Sequence, residues 1–195
     1  MSVPKENCED TVEPAIALLA AGDRKGAMTL LVASHGRAVY AFCARMLRDR
    51  VLAEDVSQQV FLEACRDLDR FQGRSAMRTW LLSIASHRCR DAMKATRRRN
   101  ERIEADDQAV ASAPGTDAPP IERLDRARLH AALERCLEHL SLEARAAVLL
   151  RFRSEMSYEE MAAALGAKAD TLQARVARAL PMLRRCFESK GWNGA

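Results

Sequence analysis

The sequence predicts an all-α protein: two small helical domains joined by a flexible linker, the C-terminal one containing a helix-turn-helix. Two observations set this class. Of 195 residues, 48% are hydrophobic but only 5% aromatic, with Ala, Leu, Arg and Glu abundant, a composition that favours helices over sheets. One stretch, residues 104–120 with the sequence EADDQAVASAPGTDAPP, has no apolar period, no basic residue and three prolines, and so reads as a linker. It separates a block at residues 10–103 from another at residues 121–190, each domain-sized but small. Fully extended, the linker covers roughly 56 Å. As a coil it averages about 23 Å.

The N-terminal block opens with an apolar-rich helix from Val12 to Ala21, ended by Gly22-Asp23. A long helix follows from Lys25 to Arg48, in which Leu30, Leu31, Val39, Phe42, Met46 and Leu47 recur on one side. From Ala53 to Leu68 the pattern puts Val56, Val60, Phe61 and Ala64 inward and Glu54, Asp55, Gln58 and Gln59 outward. That outer face is acidic and amidic and suits a basic protein surface, although acids in a first helical turn are also favourable for dipole reasons alone. Residues Phe71 to Thr79, FQGRSAMRT, read as a polar loop, with Trp80 starting the next helix. Between Ile84 and Ile103 stand Arg88, Arg90, Lys94, Arg97, Arg98, Arg99 and Arg102 against only Asp91 and Glu101. So dense a positive field suits phosphate neutralisation by counterion release.

The C-terminal block carries the most informative segment, SYEEMAAALGAKADTLQARVARALPML from Ser157. Ser157 and Glu160 form a capping box at the start of a short helix whose Met161 and Leu165 share one face. Gly166 stops that helix, and Asp170 with Gln173 repeats the capping logic for a second one. In the second helix Leu172, Val176 and Leu183 point inward, leaving Thr171, Gln173, Ala174, Arg175, Ala177 and Arg178 outside. Small residues, an amide and two arginines fit a major groove, where arginine can bond guanine bidentately. Pro181 is expected to bend this helix after about three turns.

Several function classes are excluded or disfavoured. The net charge of +4 is modest, so its distribution matters more than its size. No apolar run reaches the length of a bilayer span, and MSVPKENCEDTVEP lacks the basic and apolar regions of a signal peptide, so a cytoplasmic protein without membrane insertion is expected. Six cysteines, Cys8, Cys43, Cys65, Cys89, Cys136 and Cys186, are scattered without a Cys-x-x-Cys pair, which suggests neither a disulfide framework nor a zinc knuckle. Most are expected to be small buried hydrophobes. Cys136 and His139 lie one turn apart with His130 upstream, too few ligands for a metal site, and read as a core cysteine beside a surface histidine. There is no nucleophile elbow, phosphate loop or paired-carboxylate context, so neither an enzyme nor a cofactor is expected.

In order and spacing, Gly22-Asp23, AEDVSQQVF from Ala53, FQGRSAMRTWLLSIASHRCRD from Phe71, the basic run behind it and the helix-turn-helix from Ser157 resemble an extracytoplasmic-function sigma factor, a two-domain initiation factor of bacterial RNA polymerase. The resemblance covers all but the linker and termini. It implies that Glu54, Asp55, Gln58, Gln59 and Phe61 bind the core polymerase, with the helix they occupy docked on the β′ coiled coil. It implies that the loop at Phe71 captures a flipped base of the −10 element. There Gln72, Arg74 and Ser75 are the polar candidates, Phe71 and Met77 the apolar ones, and Gly73 the turn. His87, Arg88, Asp91, Arg97, Arg98 and Arg99 would lie along the −10 DNA, with Trp80 a core anchor. Lys168, Thr171, Gln173, Ala174, Arg175 and Arg178 would meet the −35 element. The implied partners are the β and β′ subunits, promoter DNA and an anti-sigma factor.

The chain departs from the family pattern at Gln59, where an acid is usual, and at His87, where asparagine is common. Leu140-Ser141 replaces Leu-Pro and Asp170 replaces glycine, and both new residues are good N-caps. The rival reading is a helix-turn-helix repressor or activator not tied to the polymerase. It would leave the polar loop at Phe71 unexplained.

Overall fold

The computed structural model describes residues 12–68, 71, 73, 75–103 and 121–191, and every regular element among them is helical. The linker expected at residues 104–120 lies outside the described residues.

Four helices form the first unit: α1 (Val12–Ala20), α2 (Arg24–Leu47), α3 (Arg50–Asp67) and α4 (Met77–Ile103). The turn between α1 and α2 needs Gly22, whose φ of +79° most side chains avoid. Asp23 then caps α2 by accepting from the Gly26 amide at 2.8 Å. Asp49 does the same for α3, accepting from the Leu52 amide at 3.0 Å. This cap is why α3 begins at Arg50, a turn before the Ala53 expected from periodicity. The helices close around Leu31, Val39, Phe42, Met46, Val56, Val60, Phe61, Met77, Leu81 and Leu82. The Cys43 and Cys89 thiols meet inside this core, where their hydrogen bond and burial push the Cys89 thiol up from its ordinary pKa.

The second unit contains α5 (Ile121–Glu138), α6 (Leu142–Val148), a π-helical segment (Leu149–Arg153), α7 (Tyr158–Leu165) and α8 (Ala169–Ser189). Ser141 caps α6 through the Ala144 amide. The capping box at Ser157 is complete: the Glu160 amide donates to Ser157 Oγ at 3.1 Å and the Ser157 amide to Glu160 Oε2 at 2.7 Å. Gly166 ends α7 in the left-handed region.

The structure corrects two expectations. Asp170 does not cap α8; Lys168 holds the extended N-cap backbone, and Asp170 sits one residue inside, where its charge still favours the helix N-terminus. Helix α8 carries Pro181 within it and runs on to Ser189. Cys136 and Cys186 form a disulfide between α5 and α8, their Cα atoms 5.6 Å apart, where no disulfide was expected. They are 50 residues apart in sequence, and only the folding of α8 back along α5 brings them together.

The two units pack on one another. Helix α4 lies along α7, and the end of α2 meets the junction of α5 and α6. There the buried Arg145 guanidinium donates to three carbonyls: Leu137 (3.0 Å) and Glu138 (3.3 Å) at the end of α5, and Met46 (2.8 Å) at the end of α2. It thus satisfies orphan C-terminal carbonyls of two helices at once. Beside it Arg48 pairs with Glu138 and donates to the Glu134 carbonyl at 3.3 Å.

Candidate nucleic-acid interface

Helix α3 exposes Glu54, Asp55, Gln58 and Gln59 as expected, on the side away from Val56 and Val60. Arg50 reaches Glu54 at 3.6 Å, one turn apart. Val51 (70% exposed) and Leu62 (60%) lengthen the same stripe by a turn at each end. Sequence reasoning passed over both, although their helical spacing to Asp55 and Gln58 was the available signal. Phe61 is only 8% exposed and packs in the core, so it supports this face from beneath and presents no surface to a partner.

Of the loop residues, Gln72 and Arg74 lie outside the described residues. Phe71 is half-buried against Trp80, ring centroids 5.1 Å apart, which makes Trp80 part of the hydrophobic packing as expected. Gly73 takes a φ of +66° and lets the chain turn, and Ser75 is half-buried beside it. Met77 is buried at the first position of α4, which therefore starts three residues before Trp80 and shortens the expected loop. As a core residue Met77 cannot itself contact a base.

Along α4, His87 and Asp91 are exposed one turn apart, and Lys94 and Arg98 continue their stripe. Arg88 is drawn partly inward and pairs with Glu63 of α3. That pair holds α4 to the helix bearing the acidic face. Arg97, Arg98 and Arg99 are all exposed near the end of α4.

Lys168, Thr171, Gln173, Ala174 and Arg178 are exposed on the first three turns of α8, and Arg175 is half-buried. Leu172, Val176, Ala179 and Leu183 root the helix in the core. Arg178 folds back to donate to the Ala174 carbonyl at 3.1 Å, and Ala174 with Ala177 leaves the outer face low enough for close approach. Among the described residues no group of acidic, cysteine or histidine side chains could hold a metal ion. His139 is exposed beside the disulfide-bonded Cys136; the His130 side chain lies outside the described residues.

A basic helix and loop joined to a capped helix-turn-helix define a two-part, DNA-reading transcription factor. Residues 31–99 match the family model of sigma-70 region 2, and residues 130–183 match that of sigma-70 region 4. The chain is 31% identical over 182 residues to the RNA polymerase sigma factor NccH of Alcaligenes xylosoxydans, covering 93% of this chain and 97% of that one. It is 32% identical over 154 residues to the extracytoplasmic-function sigma factor SigE of Mycolicibacterium smegmatis, covering 79% of this chain and 59% of that protein. It also shares its fold with the sigma factor RpoE from Bartonella quintana, solved with the anti-sigma factor NepR. There the TM-score is 0.60 at 24% identity, covering 80% of this chain and 94% of the other. The chain belongs to the extracytoplasmic-function class of the sigma-70 family of RNA polymerase sigma factors.

Proposed function

We propose that residues 10–103 bind core polymerase and the −10 element, that residues 121–190 bind the −35 element, and that residues 104–120 join the two. Polymerase docking falls to the stripe of Glu54, Asp55, Gln58 and Gln59, flanked by Val51 and Leu62. It presents acid, amide and apolar contact to a basic partner surface. The −10 duplex and its non-template strand fall to Phe71, Gln72, Arg74, Ser75, His87, Arg88, Asp91 and Arg97 to Arg99. The −35 element falls to Lys168, Thr171, Gln173, Ala174, Arg175 and Arg178.

The observation that carries this reading is the exposure of Thr171, Gln173, Ala174 and Arg178 on one helix whose other side is anchored in the core. Such a rigid, narrow, polar edge can enter a major groove without local unfolding. The chain works with polymerase in the cytoplasm, has no catalytic chemistry of its own, and is held in check by an anti-sigma protein, as the structurally similar RpoE is found bound to one.

Transcription in vitro with core enzyme, with start sites mapped on genomic DNA, tests the assignment. Defined start sites sharing −35 and −10 sequences are expected. Tight binding to duplex DNA without polymerase, and no binding to core, would identify an independent repressor or activator instead.

A further inference from the structure

The arrangement of the two units conflicts with reading a whole promoter. By their positions the −10 and −35 elements lie about 25 base pairs apart, roughly 85 Å of duplex at 3.4 Å per pair. Helix α4 is about 40 Å long at 1.5 Å per residue, and it packs along α7, which is joined to α8 by a short turn. Both candidate DNA faces are exposed, yet they stand too close together to occupy both elements. The units must separate before both can be used. Separation breaks the bond of Arg145 to Met46 at the end of α2 and the contacts of Arg48 with Glu134 and Glu138 in the last turns of α5, while Arg145 keeps its bonds to Leu137 and Glu138 within its own unit.

That last turn of α5 is also where the disulfide attaches. Cys136 immediately precedes Leu137 and Glu138, whose carbonyls receive Arg145. Glu138 also pairs with Arg48. Through Cys186 the turn is covalently fixed to α8. Without the cross-link it keeps only non-covalent contacts, the packing of Ala132, Leu137 and Leu140 and the bonds from Arg145 and Arg48. A disulfide in a chain that works beside polymerase forms only under oxidising conditions, since the cytoplasm keeps thiols reduced.

We propose that Cys136 and Cys186 form a thiol–disulfide control on domain opening: the disulfide holds the Arg145 clamp in place, and the dithiol frees it. This rests on the assignment of α4 and α8 to the two promoter elements. Cys186 is half-buried and Cys136 fully buried, so exchange starts at Cys186. Its thiolate attacks a small-molecule disulfide, forming a mixed disulfide and expelling one thiolate. The Cys136 thiolate then displaces the second, closing the Cys136–Cys186 bond. Two electrons pass from the protein thiols to the reagent, which leaves as two thiols carrying the two protons. Reduction by a dithiol runs the same steps backward. Among the described residues, Cys43 and Cys89 are buried in the other unit and Cys65 lies on α3, away from this pair.

The test uses the full chain equilibrated with oxidised glutathione or with reduced dithiothreitol, reading the radius of gyration of the free chain and, after assembly with core polymerase, the affinity for a promoter carrying both elements. The oxidised holoenzyme should bind that promoter at least tenfold more weakly and the oxidised free chain should stay compact, while the reduced chain expands. The double variant Cys136→Ser with Cys186→Ser should match the reduced chain under both conditions. If circular dichroism shows that variant unfolded, Cys186→Ser alone, at the half-buried position, supplies the same comparison. Equal affinity of the oxidised and reduced chains, or a response that survives in the serine variants, would overturn the proposal. Failure of the reduced wild-type chain to bind polymerase at all would overturn the docking assignment on which it rests.

Discussion

Arg145 and Met46, 99 residues apart in sequence, are joined by a 2.8 Å hydrogen bond from a guanidinium that is only 5% exposed. Burial, and then the nearby Arg48 charge, lower the Arg145 pKa, so the three carbonyls around it compensate a charge removed from water. Replacing Arg145 by Met keeps much of the volume and removes every one of these bonds. The variant should lose about 2–3 kcal/mol of stability by urea unfolding, the scale of hydrogen bonds to a charged group. A loss under about 0.5 kcal/mol, the size of an ordinary surface substitution, would mean the clamp is not formed in solution.

Reduction should also cost stability. The disulfide closes a 50-residue loop, which in the chain-entropy account is worth about 4 kcal/mol. Adding a dithiol should lower the unfolding midpoint of the second unit by more than that of the first. Coincident, unshifted transitions would show that the bond is not populated.

Asp55→Arg should abolish binding to core polymerase while far-ultraviolet circular dichroism stays unchanged, because an exposed charge is reversed on the face proposed to dock on a basic partner. Retained binding in a pull-down would remove α3 as the docking helix.

Base reading and phosphate grip should separate by residue. Arg178→Ala should cost roughly 1–3 kcal/mol at the preferred −35 sequence and flatten discrimination among −35 variants. Neutralising Arg97, Arg98 and Arg99 should weaken all promoters alike and lower the salt slope by about one for each phosphate that is no longer neutralised. Both are read as holoenzyme–promoter affinities across salt. Equal weakening of every −35 variant by Arg178→Ala would show that α8 does not read bases there.

Burial, and secondarily the charge of Arg78, lower the pKa of His35 in the first unit. The unfolded chain, with an imidazole pKa of about 6.5, therefore takes up the proton before the folded one as pH falls. Stability contributed by neutral His35 is present above that pH and is lost below it. The stability advantage of the wild type over His35→Asn should shrink between about pH 7.5 and about pH 5.5 in urea titrations. A difference independent of pH would place the titration elsewhere.

Local features were legible in the sequence. The Ser157–Glu160 box and the Gly166 stop involve residues within one turn, and the inward stripe of Leu172 and Val176 follows from helical period alone. Helix starts were misjudged where a cap outranked periodicity, as at Asp49, or where a polar residue near a start was taken for the cap, as at Asp170. Phe61 was read both as inward and as a contact residue, and burial leaves only the first. Arg145 and the Cys136–Cys186 bond were invisible because each depends on how separate helices come together, which no local spacing encodes.

The Arg145 clamp joins two parts of one chain, so the concentration each part presents to the other is set by the chain between them. An inhibitor that is a separate protein acts in proportion to its amount and can be titrated away. Dilution cannot weaken the clamp. The fraction of molecules in which the clamp is closed is therefore a property of the chain rather than of its abundance.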